Sequence, residues 1–152
     1  MADKSVSANY FSRLKQIWER RDIVIVEGKN TRSGSGNDLF AGARTIERIV
    51  CPSRNVYSQV EQIQQAVEQV DKNKLILLML GPTAKVLPYQ LSQKGYQAID
   101  IGHIDSEYEW FRMGVTQKVK LAHKHTAEHN FDQDITLLDD ESYNQQVLID
   151  LS

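Results

Sequence analysis

A chain of 152 residues with 41% hydrophobic and 25% charged side chains is ordinary globular material, long enough for one domain, residues 1–152, with a real core. A formal net charge of -2 and a pI near 6.1 leave no basic excess for a phosphate backbone, which excludes nucleic acid as the expected partner. The single cysteine, Cys51, excludes an internal disulfide framework and a multi-cysteine zinc site. It suits a reducing compartment, no stretch is apolar enough to span a bilayer, and MADKSVSANYF lacks a signal segment, so a cytoplasmic protein is expected.

Taken in order, Tyr10, Phe11, Leu14, Ile17 and Trp18 recur at the spacing of an amphipathic helix that covers a sheet. Asp22 to Val26, β-branched at nearly every position, reads as a strand buried on both faces and ends at Glu27-Gly28. In the following glycine-rich stretch Gly34 and Gly36 free the backbone to turn, and Asn37 or Asp38 is placed to cap a short helix from Leu39 to Ala43. Ile46 to Val50 is a second strand, stopped by Cys51-Pro52-Ser53, and a helix is expected from about Val56 to Val70.

Leu75 to Leu80 is the most apolar run and is expected as a central strand, ended by Gly81-Pro82-Thr83. A helix from Ala84 to Leu91, with Pro88 awkward inside it, leads through Gly95 to a fourth strand, Gln97 to Ile101. Beyond Phe111 the pattern weakens: Val115 to Ala122 extends a helix, the stretch holding His123, His125 and His129 is a polar connection, and Tyr143 to Leu151 is a final helix.

This alternation predicts an α/β fold, a Rossmann-like three-layer sandwich with a mostly parallel sheet of about four strands flanked by helices. In such sheets ligands bind beyond the strand C-terminal ends. Here that edge gathers Glu27-Gly28, Cys51-Pro52-Ser53, Gly81-Pro82-Thr83 and Gly102-His103-Ile104-Asp105. Helix N-termini and the backbone N–H groups of the GSGND stretch favour a phosphate there, with Arg32 close enough to add charge.

Asp105 and Glu107 sit at i and i+2 after the fourth strand, a spacing that on a loop lets two carboxylates close on one hard cation beside a diphosphate. The competing reading is structural: Asp105 or Ser106 caps a helix starting near Glu107, and from spacing alone this weighs more. Cys51, between a strand and a proline, is a buried small hydrophobe rather than a nucleophile. The three histidines lack a metalloprotease pattern and fit a solvated connection. His103 assists the metal site or donates to a backbone carbonyl, with equal weight.

The series IVIVEG, TRSGSGNDLF, IERIVCPSRN, LILLMLGPTAKVL and GYQAIDIGHIDSEYEW, in order from about Tyr10 to Arg112, resembles the C-terminal half of the GT-D glycosyltransferases, which glycosylate bacterial serine-rich repeat adhesins. The resemblance implies a metal-dependent hexosyltransferase that moves glucose from a UDP-sugar donor to a glycan on a glycoprotein acceptor. The family's D-x-E motif falls on Asp105 and Glu107, with Mn²⁺ or Mg²⁺ as cofactor, and this reverses the balance against capping. Arg32, Gly34, Gly36, Asn37, Gly81 and Thr83 are then expected to bind substrate, and Glu27, Asp38 and His103 are candidates for taking the acceptor proton. The family's preceding region, with its RFGDGE-like motif, has no counterpart here, so the expected protein partner is a second copy or a protein that supplies that half. A non-catalytic nucleotide-binding or partner module is the alternative function.

Overall fold

The fold comes from a computed structural model that describes residues 4–52, 59–81, 85–113 and 141–152. The expected helix over Val115 to Ala122, the histidine stretch and Thr83 lie outside these residues. Ten elements follow in order: α1 (Lys4–Trp18), β1 (Asp22–Gly28), β2 (Thr45–Cys51), α2 (Val60–Val67), β3 (Leu75–Met79), α3 (Val86–Gln93), β4 (Gln97–Asp100), α4 (Ile104–Met113), α5 (Glu141–Gln146) and β5 (Val147–Asp150). The strands form one parallel sheet in the order β4-β3-β1-β2-β5.

Alternate residues of the strands feed two cores, as the two-residue period of a strand requires. On one face Ile23, Ile25, Leu75 and Leu77 pack against Phe11 and Trp18 of α1, Leu39 and Phe40, and Ile104 and Tyr108 of α4. On the other, Val24, Val26, Ile49, Ile76 and Leu78 pack against Ile63, Ala66 and Val67 of α2 and Leu87 and Leu91 of α3. Connections stepping from β1 to β2 cross the first face, and those through α2 and α3, stepping the other way, cross the second. Crossovers of a single hand demand this division. Pro88 is accommodated because it is the third residue of α3, where its missing N–H would have had no helical partner.

Two expectations are corrected. Among the described residues the sheet has five strands, because the helix expected over 143–151 ends at Gln146 and the chain continues as β5, pairing with β2 from Arg48 to Val50. Tyr143, Val147 and Leu151 do lie at helical spacing, but Val147 and Ile149 also alternate as a strand, and the open edge of β2 decides between them. The short helix expected over 39–43 is instead a run of turns, with Ala41 N–H donating to Asp38 and Ala43 N–H to Phe40.

Candidate active site

Glu27 is the penultimate residue of β1, and its side chain falls on the α1 and α4 face, in a strand otherwise apolar there. It is fully buried, and Arg48 of β2 is 3% exposed. The register places Ile25 beside Arg48, so Glu27 and Arg48 are diagonal neighbours across the two strands. Arg48 Nη1 donates to Glu27 Oε1 at 2.6 Å and Oε2 at 3.2 Å, and Nε donates to Gln146 Oε1 at 2.8 Å. Ser33 N–H donates to both Glu27 oxygens at 3.1 Å. Burial pushes the Glu27 carboxyl up to about 7, with the Asp105 charge adding to it, against the pull of Arg48 and Ser33.

The turn after β1 is fastened to α4. Asp105, 2% exposed, accepts from Gly34 N–H at 2.7 Å and from Asn37 Nδ2 at 3.1 Å. Glu109, one helical turn on, accepts from the same Asn37 nitrogen, while Asn37 Oδ1 accepts from Leu39 N–H at 2.9 Å. Tyr108 donates to Asp38, and Lys15 donates to the Tyr108 hydroxyl at 2.6 Å. Gly34 is required twice over: its φ is +76°, and a Cβ would lie 2.5 Å from Phe40 Cδ2.

A phosphate cradle was the expectation for the backbone of this turn, and its N–H groups are used otherwise. Ser33 and Gly34 donate to the Glu27 and Asp105 carboxylates, Ser35 to the Arg32 carbonyl at 3.1 Å, and Asn37 to the Gly34 carbonyl at 3.3 Å. The anions that the nest holds are the protein's own.

On the far side of the turn Tyr143 of α5 is buried, with the Arg48 guanidinium 4.6 Å and that of Arg32 5.1 Å from its ring centroid. Arg32 has φ +47°, a left-handed conformation that a non-glycine residue adopts at a cost. Between the turn, β2 and α5 lies a cavity of about 260 Å³, lined by Gly34–Asn37, Phe40, Ala41, Ile46, Arg48, Ser142, Tyr143 and Gln146.

The expected site residues therefore divide. Glu27, Gly34, Asn37 and Asp105 are brought together. Arg32 stands at Tyr143, Gly36 is exposed, and Gly81 ends β3 with φ +85°. Asp38 is exposed, and its hydrogen bond from Tyr108 holds its carboxyl below the usual range. His103 is exposed on the rim just before α4. Because α4 begins at Ile104 and not near Glu107, Asp105 and Glu107 stand on a helix, where two residues subtend about 200°. Asp105 points into the turn and Glu107 is exposed, so the two do not converge on one ion. Cys51 is buried and its thiol is pushed up to about 12, chiefly by desolvation, which suits packing and not nucleophilic attack.

Sequence reasoning missed Ser33, Arg48, Glu109 and Tyr143. Arg48 had a readable signal: a cation within β2 and an anion near the end of its neighbour β1, on strands otherwise rich in buried apolar residues, are each costly to bury unless they pair. Glu109 had another, since the residue sharing a helical face with Asp105 is four positions on and not two.

A metal would find hard oxygen donors here in Asp105 and Glu109, which both accept from one Asn37 nitrogen, so their lone pairs converge where positive charge is wanted. Among the described residues no three His, Cys, Asp or Glu side chains form a cluster able to hold a metal ion. A magnesium-type site made of one or two carboxylates and substrate phosphates needs no such cluster.

An open parallel sheet with helices on both faces, and with Glu27 and Asp105 at the strand C-terminal edge where such sheets bind ligands, defines an α/β protein of the Rossmann-like class. The chain belongs to the GT-D glycosyltransferase fold family, whose profile it matches over residues 1–129. It is 62% identical over its full length to a probable glycosyl transferase, Gly, of Streptococcus gordonii, spanning 22% of that protein. It is 59% identical over 146 residues to glycosyltransferase GlyD of Streptococcus pneumoniae serotype 4, spanning 18% of it. A solved structure described as a new glycosyltransferase from Streptococcus sanguinis superposes on the whole chain with a TM-score of 0.96 at 62% identity. The chain covers 57% of that structure. Another, described as domain of unknown function 1792 with a distinct glycosyltransferase fold, gives 0.96 at 53% identity and is 55% covered. No helix among the described residues is long and apolar enough to cross a membrane.

Proposed function

We propose that residues 1–152 form a single GT-D unit that acts in the cytoplasm as a hexosyltransferase, moving glucose from a UDP-sugar to a glycan on a serine-rich repeat glycoprotein. The observation that carries the reading is the match of the whole chain, at 62% identity, to 57% of a solved protein described as a glycosyltransferase. The burial of Asp105 at the sheet edge, held by Gly34 and Asn37, supports it by presenting a fixed carboxylate where α/β sheets bind ligands.

Asp105 and Glu109 would hold Mn²⁺ or Mg²⁺, which when bound neutralises the charge that develops on a diphosphate leaving group. The chain's own residues do the rest. Glu27 is sealed by Arg48 and Ser33 and serves to fix the turn. Asp38 is held below the usual carboxylate range by Tyr108 and makes a weak base. His103, exposed and two positions before Asp105, is the candidate of the three for taking the acceptor proton.

Titration of the protein with UDP, with and without Mn²⁺, tests the reading. Metal-dependent binding that is lost in Asp105→Ala is expected, and binding unchanged by that substitution would overturn it. A second reading, a nucleotide-binding or partner module that does no chemistry, is favoured by the turn's N–H groups being spent on internal carboxylates. UDP binding without turnover of UDP-glucose, and co-purification with a second copy or with a protein carrying the family's remaining half, would select it.

A further inference from the structure

The cavity on the α5 side of the turn has one unspent polar anchor. Arg48 carries five N–H donors. Its Nε is used by Gln146 and its Nη1 by Glu27, while Nη2 has no acceptor among the described residues. Arg48 is 3% exposed and lines the cavity, which gives its guanidinium a route to a ligand from that side. A donor that no protein group engages is open to a ligand oxygen.

The charge on this wall is already balanced. Glu27 lies in contact with Arg48, and the backbone N–H groups of Ser33, Gly34, Ser35 and Asn37 are engaged inside the protein. Arg48 is the one charged side chain among the described lining residues, so an anion would find no second positive charge on the lining, whereas a neutral acceptor would find the Nη2 donor; the Arg32 guanidinium, 5.1 Å from the Tyr143 ring centroid, is not part of that lining. Phe40, Ala41 and Ile46 offer an apolar patch facing the polar Asn37, Ser142 and Gln146. At about 260 Å³ the cavity falls below the roughly 300–1,000 Å³ that encloses drug-sized ligands, a size that suits the seating of one ring.

We propose that this cavity is a subsite for one uncharged hydroxylated ring, the terminal sugar of the acceptor, hydrogen-bonded by Arg48 Nη2. The choice of an acceptor sugar rests on the transferase reading above; the neutrality and size of the ligand rest on the cavity itself. A donor ring arrives with a diphosphate, for which this wall has no charge to spare. Asn37 lines the cavity and also binds Asp105, so a ring seated here lies one side chain from the acid pair.

The test is saturation-transfer NMR with methyl glucoside, methyl galactoside and methyl N-acetylglucosaminide, on the wild type, Arg48→Lys and Ser142→Trp. Arg48→Lys keeps the charge beside Glu27 and removes Nη2; Ser142→Trp fills the cavity from an exposed position. Binding of at least one glycoside is expected, weakened about tenfold or more in both variants, with inorganic phosphate failing to compete. No binding of any of the three, binding unchanged in Ser142→Trp, or displacement by phosphate would overturn the proposal. UDP titration run alongside separates the two claims: glycoside binding lost in the variants while UDP fails to bind sustains the cavity and sinks the transferase reading. UDP binding without any glycoside does the reverse.

Discussion

Arg48 Nη1 stands 2.6 Å from Glu27 Oε1, and neither side chain is more than 3% exposed. Two charges this deep are costly to bury, and removing one strands the other. At about pH 8, where Glu27 is ionised, Arg48→Met should therefore cost about 3–5 kcal/mol in urea unfolding. The double substitution Glu27→Leu with Arg48→Met should recover most of that loss, and a double variant as unstable as the single one would show that packing, not charge, sets the cost.

The same pair gives a pH dependence with a defined sign. The folded carboxyl, at about 7, lies above its ordinary 4.5, so the folded state binds this proton more tightly than the unfolded chain. Its contribution is complete below pH 4.5 and is lost as pH rises through about 7. Glu27→Gln cannot titrate there. Its stability relative to wild type should climb between pH 4.5 and 7, and a difference that stays flat or falls across that window contradicts the assignment.

Asn37 bridges Asp105 and Glu109 with one nitrogen, and its oxygen holds Leu39 N–H. Asn37→Asp would set a third carboxylate against two others and remove their shared donor. A loss of about 1–3 kcal/mol at neutral pH is expected. Asn37→Ala, which removes the donor without adding a charge, should lose less, and chemical denaturation of the two variants side by side will resolve the order.

Gly34 and Gly36 share a left-handed backbone, but only Gly34 has a neighbour within reach of an added Cβ. Gly36→Ala should lose about 1–2 kcal/mol from conformation alone. Gly34→Ala must also displace the Phe40 ring and should lose more, with partial recovery when Phe40→Leu is added. Equal melting temperatures for the two alanine variants would rule out the contact as the reason for glycine.

Much of the architecture was legible because its strands are apolar on both faces: Ile23 to Val26 and Leu75 to Met79 allow little besides the interior of a parallel sheet. The site was read less completely. Asp105 and the Gly34 turn were identified, yet the direction of the Glu107 side chain depended on where α4 begins, and a shift of three residues turned it outward. Arg48 and Tyr143 were passed over because their roles come from contacts across long sequence separations, such as the bond from Arg48 to Gln146, 98 positions apart. Local pattern marks Arg48 as a charge that needs a partner but does not say which residue supplies it.

The position of β5 bears on how the molecule is assembled during synthesis. Until residues 141–150 have emerged, one flank of β2 has no neighbour, and Arg48 lacks both Gln146 and the ring that covers it. The nascent sheet must wait for its last strand before its innermost ion pair is closed off from water, and a ribosome that stalls short of that point leaves a hydrogen-bonding edge open to other chains.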